Sequence, residues 1–159
     1  MLQHSILGIS LGSRSIGIAV MRNERLIDWQ IKSFADAMNE QKLHIITGSI
    51  LKLIRDNDIG CLVLKLPLSL ELHSNLVALK KHLLKTCAAK GITVTSYTLS
   101  DIKELVGEGV CNKQELAACM VTYYPELRFV YMKEQHARNS YYLKLFEAVA
   151  VLHIHTRNT

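Results

Sequence analysis

Apolar residues open the chain in three short runs, Ile6 to Leu11, Ile16 to Val20 and Leu26 to Ile31. The first two flank a Gly12-Ser13-Arg14-Ser15 turn, which predicts a β-hairpin, and the third predicts a further strand beside it. Gly12 stands where a tight turn can need positive φ, and Gly17 where a strand interior lets another backbone or a ligand come close. Between Asn39 and Asn57 the period changes. Leu43, Ile46, Ile50, Leu53 and Ile54 recur at helical spacing, as in an amphipathic helix laid over a sheet. Gly60 to Leu66 is a nearly continuous apolar run, the pattern of a strand buried on both faces, and Pro67 ends it.

Leu72, Leu76, Leu79, Leu83 and Cys87 predict a second long helix that stops before Gly91, a residue suited to a left-handed cap. Ile92 to Thr98, rich in threonine, predicts another strand. Three strands, helix, strand, helix, strand is an α/β order that implies right-handed crossovers and helices on both sheet faces. The sheet is then mixed, a three-stranded antiparallel unit extended by parallel strands. Ser100 to Val106 follows as a short helix broken by Gly107-Glu108-Gly109, and Asn112 with Glu115 has the pattern of an N-cap that starts a helix through Leu116 and Met120. Pro125 bounds a polar stretch with many aromatic and charged residues. Asn139 or Ser140 is placed to cap a last helix with Tyr142, Phe146, Val149 and His153 as its apolar stripe.

Composition narrows the class. With 159 residues, 49% hydrophobic and 21% charged, the chain reads as one globular domain spanning residues 1–159. No apolar stretch approaches the length of a membrane span, and Met1 to Leu11 lacks the pattern of a signal peptide, so a cytoplasmic location is expected. Cys61, Cys87, Cys111 and Cys119 form no Cys-x-x-Cys pair, which predicts reduced thiols, with Cys111 beside glycines the one candidate for reactivity. The net charge of +5 is uneven: residues 1–79 hold 8 Lys/Arg against 7 Asp/Glu, and residues 80–159 hold 11 against 7. A basic second half suits phosphate contacts, although an ordinary solvated surface has the same composition.

Gly8-Ile9-Ser10-Leu11-Gly12-Ser13 with Gly17 resembles the first hairpin of the RNase H-like superfamily, most closely that of the RuvC-type Holliday-junction resolvases, whose pattern is Gly-Ile-Asp-x-Gly-Ser/Thr. Asp101-Ile102-Lys103, Val106 to Gly109 and Asn112-Lys113 are similar to that group's Gly-x-Gly segment and lysine-bearing helix start. Phe146-Glu147-Ala148-Val149-Ala150 is similar to its closing Asp-Ala-x-Ala helix. The resemblance extends over most of the chain and implies an RNase H-like fold. It also implies a site for divalent metals held by carboxylates, because hard oxygen ligands suit Mg²⁺ and paired ions can stabilise both oxygens of a displacement.

At the matching positions most acids are gone. Ser10 stands for the first aspartate, Lys65 for the glutamate ending the fourth strand, and Lys144 for the first of two acids on the last helix; Glu147 keeps the carboxylate of the second. Lys144 and Glu147, three apart, share a helix face. The resemblance thus implies a pocket with one carboxylate, one hydroxyl and two ammonium groups, without a metal and without a confident catalytic residue. A Lys65 or Lys144 pair with Glu147 would replace the metal cluster; the bland alternative has Lys65 snorkelling and Lys144 in solvent.

This reading makes the chain a resolvase homologue without cleavage activity that binds DNA or branched nucleic acid. Two alternatives stand beside it. One is an active nuclease using Mg²⁺ or Mn²⁺ with relocated acids drawn from Glu71, Asp101 and Glu108. The other is a protein-interaction subunit, as a homodimer or in a DNA-processing complex. Arg14 at the hairpin tip and Lys103 and Lys113 flanking the Gly107 loop are candidate phosphate contacts, since a helix start offers N–H groups to anions. Glu108 within that loop argues against it. Tyr123, Tyr124, Phe129, Tyr131, Tyr141 and Tyr142, interleaved with Arg128, Lys133 and Arg138, have a composition that either stacks bases or packs a connection onto the core. His153 and His155, two apart, read as core or C-terminal residues rather than as metal ligands. A nucleotide-cradling ATPase is disfavoured, since such enzymes need two such domains and a chain of this length provides one.

Overall fold

The opening apolar runs form β1 (Ser5–Ser10), β2 (Ser15–Arg22) and β3 (Arg25–Ser33), joined as antiparallel neighbours, with β1 and β2 buried on both faces. The computed structural model describes residues 4–33, 39–137 and 142–157, with backbone alone for 134–137. Asn23 and Glu24, both at positive φ, form the two-residue turn between β2 and β3 that the right-handed twist of paired strands favours. Two further strands, β4 (Ile59–Lys65) and β5 (Thr93–Tyr97), add in parallel to give the sheet order β3-β2-β1-β4-β5. This is the mixed sheet expected from the sequence.

Among the described residues six α-helices cover it. α1 (Glu40–Asp56) and α2 (Ser74–Ala89) lie on one face, packing Ile46, Ile50, Leu76, Leu79 and Leu83 against Leu7, Ile9, Ile18, Leu62 and Leu64. On the other face lie α3 (Leu99–Val106), α4 (Lys113–Tyr123), α5 (Arg128–Ala137) and α6 (Leu143–Arg157), packed on Ala19, Met21 and Val63. Their starts follow local chemistry. The Asn39 side chain accepts from Lys42 N–H at 2.9 Å, and Asn112 accepts from Glu115 N–H at 2.8 Å. Thr98 and Asp101 form a reciprocal capping box at the head of α3, a helix start that the Thr-x-x-Asp pattern encodes locally.

Three expectations need correction. Leu72 belongs to a 3₁₀ turn at Leu70–Leu72 rather than to α2, and is 83% exposed. The last helix has no single apolar stripe: every residue from Leu145 to Ile154 is buried, because α6 is enclosed by the sheet and by α3 and α4. From Pro125 a 3₁₀ turn at Pro125–Leu127 leads into α5, a stretch without a structural expectation from the sequence. Positive φ occurs at Gly91, as a left-handed cap requires, and in the Gly107 to Gly109 turn, but not at Gly12. What Gly12 provides is space, since a Cβ there would stand 2.7 Å from Lys144 Cε. The proposed caps Asn139 and Ser140 lie outside the described residues.

Gly17 meets its expectation of close approach. A Cβ at Gly17 would lie 2.0 Å from the Lys144 carbonyl oxygen, so the first turn of α6 rests directly on the β2 backbone. That contact fixes the height of α6 over the sheet, and with it the position of Glu147 one turn on.

Candidate functional site

Side chains alternate across a strand, so Gly8 and Ser10 of β1 and Val63 and Lys65 of β4 face α6. Ser10 and Lys65 are direct register partners at the carboxyl ends of the two parallel strands. Glu147, from the second turn of α6, descends onto this pair and is 1% exposed. Its Oε2 accepts from Ser10 Oγ at 2.9 Å and lies 2.7 Å from Lys65 Nζ. Lys65 is 3% exposed, so this is a buried ion pair.

Two more ammonium groups complete the cluster. Lys144 Nζ lies 3.7 Å from Oε2, and Lys113 Nζ, from the first residue of α4, lies 3.3 Å from Oε1. The pocket therefore holds three ammonium groups rather than two. Lys113 pairs with Oε1 without an aligned hydrogen bond, which leaves Oε1 a buried oxygen short of a donor. Burial pushes the Glu147 carboxyl up, but Lys144, Lys65 and Lys113 together outweigh it and hold the group below its ordinary value. Burial, offset by Glu147 and reinforced by Lys65 and Lys113, pulls the Lys144 ammonium down to about 8.

The cluster forms the floor of a cleft of about 440 Å³, walled by Gly12 to Ser15, Pro67 to Ser69, His73, Leu99 and Leu143. Arg14 is exposed on its wall. Of the residues singled out from the sequence, Ser10, Lys65, Lys144 and Glu147 converge here, and Lys113 joins them. Lys103, on the last turn of α3, does not line the cleft.

The acids considered as replacements lie elsewhere. Glu71 sits exposed in the 3₁₀ turn, Asp101 caps α3, and Glu108 accepts hydrogen bonds from Tyr123 Oη and Cys119 Sγ. These two bonds hold the Glu108 carboxyl below its ordinary value, while burial and Glu108 push the Cys119 thiol up to about 11. None of the three acids lines the cleft. Among the described residues no group of three or more His, Cys, Asp and Glu side chains is placed to hold a metal ion. The helix start after the Gly107 turn is already occupied: Glu115 accepts from Cys111 N–H and Asn112 accepts from Glu115 N–H.

The aromatic residues divide. Tyr123 and Tyr124 pack on His153, whose Nδ1 lies 2.9 Å from Tyr124 Oη, and Tyr131 meets Phe146 edge to face. Phe129 is exposed, and Tyr142 receives Lys133 over its ring. Tyr141 and Arg138 lie outside the described residues. All four cysteines are free, with Cys87 buried and Cys111 exposed. No described helix is long and apolar enough to cross a membrane.

The sheet order, the helices on both faces and the position of α6 over the carboxyl end of β1 define an RNase H-like fold of the RuvC type. Comparison with solved structures agrees. The RuvC structure from Thermus thermophilus superposes with a TM-score of 0.68 at 17% identity, over 96% of this chain and 93% of that one. T. thermophilus RuvC in complex with a Holliday junction substrate gives a TM-score of 0.67 at 16% identity, over 96% and 92%. The yeast mitochondrial Holliday junction resolvase Ydc2 gives 0.56 at 8% identity, over 94% and 76%.

In sequence, the chain is 34% identical over 68 residues to a protein of Staphylococcus epidermidis named "Putative pre-16S rRNA nuclease", covering 42% of this chain and 46% of that protein. The chain thus spans about half the length of the curated relatives it matches. No family model matches it.

Proposed function

We propose that this chain is a nucleic-acid-binding protein of RuvC-type fold in which a lysine–carboxylate cluster replaces the metal site, so that it does not cleave phosphodiesters by the metal-dependent route. The observation that carries this reading is the Lys65–Glu147 ion pair, 2.7 Å long and buried, whose shared oxygen also takes the Ser10 hydroxyl.

The donor set does not fit a divalent cation. Such an ion prefers several oxygen ligands, and the cluster offers one carboxylate and one hydroxyl. A doubly charged ion about 4 Å from an ammonium group is repelled by about 8 kcal/mol at an effective dielectric constant of about 20. Attraction to Glu147 offsets one of the three lysines and leaves the other two unopposed.

What the cleft suits instead is an anion. Arg14, Lys65, Lys113 and Lys144 line it against a single acid. Lysines that neutralise a phosphate backbone release its counterions, which gives affinity that falls with salt. The fold shared with RuvC and the match to a protein named for pre-16S rRNA support nucleic acid as the ligand.

The test combines binding and cleavage on labelled four-way DNA junctions, single-stranded DNA and structured RNA. Fluorescence anisotropy is expected to show binding that weakens as salt rises, with a shallower salt slope in Lys113→Gln. No product is expected in Mg²⁺ or Mn²⁺. Metal-dependent cleavage that stops in Glu147→Gln, or binding to a protein partner with none to nucleic acid, overturns the reading.

A further inference from the structure

The three lysines around Glu147 are not equivalent. Lys65 is 3% exposed and held against Glu147 in a 2.7 Å pair. Lys113 has a side chain 38% exposed at the head of α4. Lys144 is intermediate, its side chain 16% exposed, and it opens on the cleft. Its polar contacts are the longest of the cluster, 3.7 Å to Glu147 Oε2 and 3.4 Å to the Leu11 carbonyl oxygen. The path of its side chain depends on Gly12, where a Cβ would stand 2.7 Å from Cε and 3.3 Å from Nζ.

We propose that Lys144 is an amine nucleophile that captures, as an imine, an aldehyde carried next to a phosphate; in nucleic acid that group is the ring-opened abasic nucleotide. The nucleic-acid source rests on the function proposed above, whereas the amine chemistry does not. A desolvated lysine beside other cations is the environment that activates an amine for imine formation, because both effects favour the neutral form. Here burial acts first, Glu147 at 3.7 Å opposes it, and the neighbouring Lys65 and Lys113 add to it.

The remaining groups fit the same step. Lys113 and Arg14 stand in the cleft as cations for the flanking phosphate. The neutral Nζ attacks the aldehyde carbon, a C–N bond forms, and the carbonyl π pair moves to oxygen, which takes a proton. The carbinolamine then loses that oxygen as water after a second protonation, and the nitrogen sheds one of its two original protons. The products are a protonated imine and one water, for one amine, one aldehyde and one added proton. Glu147, 3.7 Å from Nζ, is placed to receive the proton that nitrogen sheds.

The imine is trapped by borohydride, which delivers hydride to its carbon and leaves a secondary amine. Protein is incubated with a labelled oligonucleotide bearing one abasic site, or with glyceraldehyde 3-phosphate, reduced, and mapped by peptide mass spectrometry. A trapped adduct on Lys144 is expected from the oligonucleotide, falling by on the order of tenfold or more in Lys144→Arg, which keeps the charge without the nucleophile. Thermal melting of that variant establishes that it folds, and mapping the adduct in the unaltered protein does not depend on it. An adduct on Lys144 from glyceraldehyde 3-phosphate alone upholds the amine and overturns the nucleic-acid source. No adduct from either, or adducts spread over exposed lysines and undiminished in Lys144→Arg, overturns the proposal even where intact nucleic acid binds.

Discussion

Replacing Glu147 by glutamine keeps the shape of the side chain and removes the only negative charge among three ammonium groups. Lys65 has a side chain 4% exposed, so it cannot turn to water, and Ser10 loses its charged acceptor. Breaking a buried ion pair from one side typically costs about 3–5 kcal/mol, because the abandoned charge stays desolvated. Repulsion among the lysines adds to that figure, and relaxation of Lys113 towards solvent subtracts from it. The expected loss is therefore about 3–5 kcal/mol, or a fall in Tm on the order of 10 °C for a chain of this size. Urea unfolding of four proteins checks it: wild type, Glu147→Gln, Lys65→Met and the double variant. Lys65→Met is expected to lose less, since Glu147 keeps Lys113 and Lys144 within 3.3 and 3.7 Å. The double variant should be more stable than the sum of the single losses, with a coupling of about 1–3 kcal/mol. If Glu147→Gln unfolds within about 0.5 kcal/mol of wild type, the argument that this carboxylate holds the buried lysine is refuted.

Other outcomes follow from the same geometry. Gly17→Ala should lower stability by more than about 3 kcal/mol, because its methyl meets the backbone of α6, whereas Gly48→Ala, with open space on a helix face, should raise it by about 0.5–1 kcal/mol; melting curves of the pair check both. Burial and Arg157 pull the His153 imidazole down to about 4 from its usual value near 6.5, so between those limits the unfolded chain binds the extra proton. Stability should fall as pH drops from about 6.5 to 4, and His153→Phe should flatten that slope in melts taken across the range. For Lys144 the folded value of about 8 lies under the unfolded 10.5, so the unfolded state again holds more protons, and stability should rise as pH increases from 8 towards 10.5. Lys144→Met should remove that alkaline rise.

The elements were legible because each rests on nearby residues. Short apolar runs around a turn marked β1 to β3, the Leu43 to Ile54 spacing marked α1, and Gly91 and Asn112 marked ends through caps that need only a few residues. Gly17 was readable as a place of close approach, although what approaches it, the Lys144 carbonyl, was not. Leu72 misled because an apolar residue at helical spacing is counted by periodicity whether or not the backbone turns there. The resemblance picked out Ser10, Lys65, Lys144 and Glu147 as positions of one site, while Lys113 was assigned to a loop and to phosphate.

By itself, then, the sequence determined the strands and helices, the α/β class and the scarcity of acids at the matched positions. The tertiary structure alone decided that one carboxylate is shared by three lysines, because that depends on the Ser10–Lys65 register, the seat of α6 on Gly17 and the direction in which α4 begins. Periodicity states which face of an element is buried. It does not state whose face it meets, and contacts 137 residues apart, such as Ser10 with Glu147, are set only when the sheet and its helices pack together.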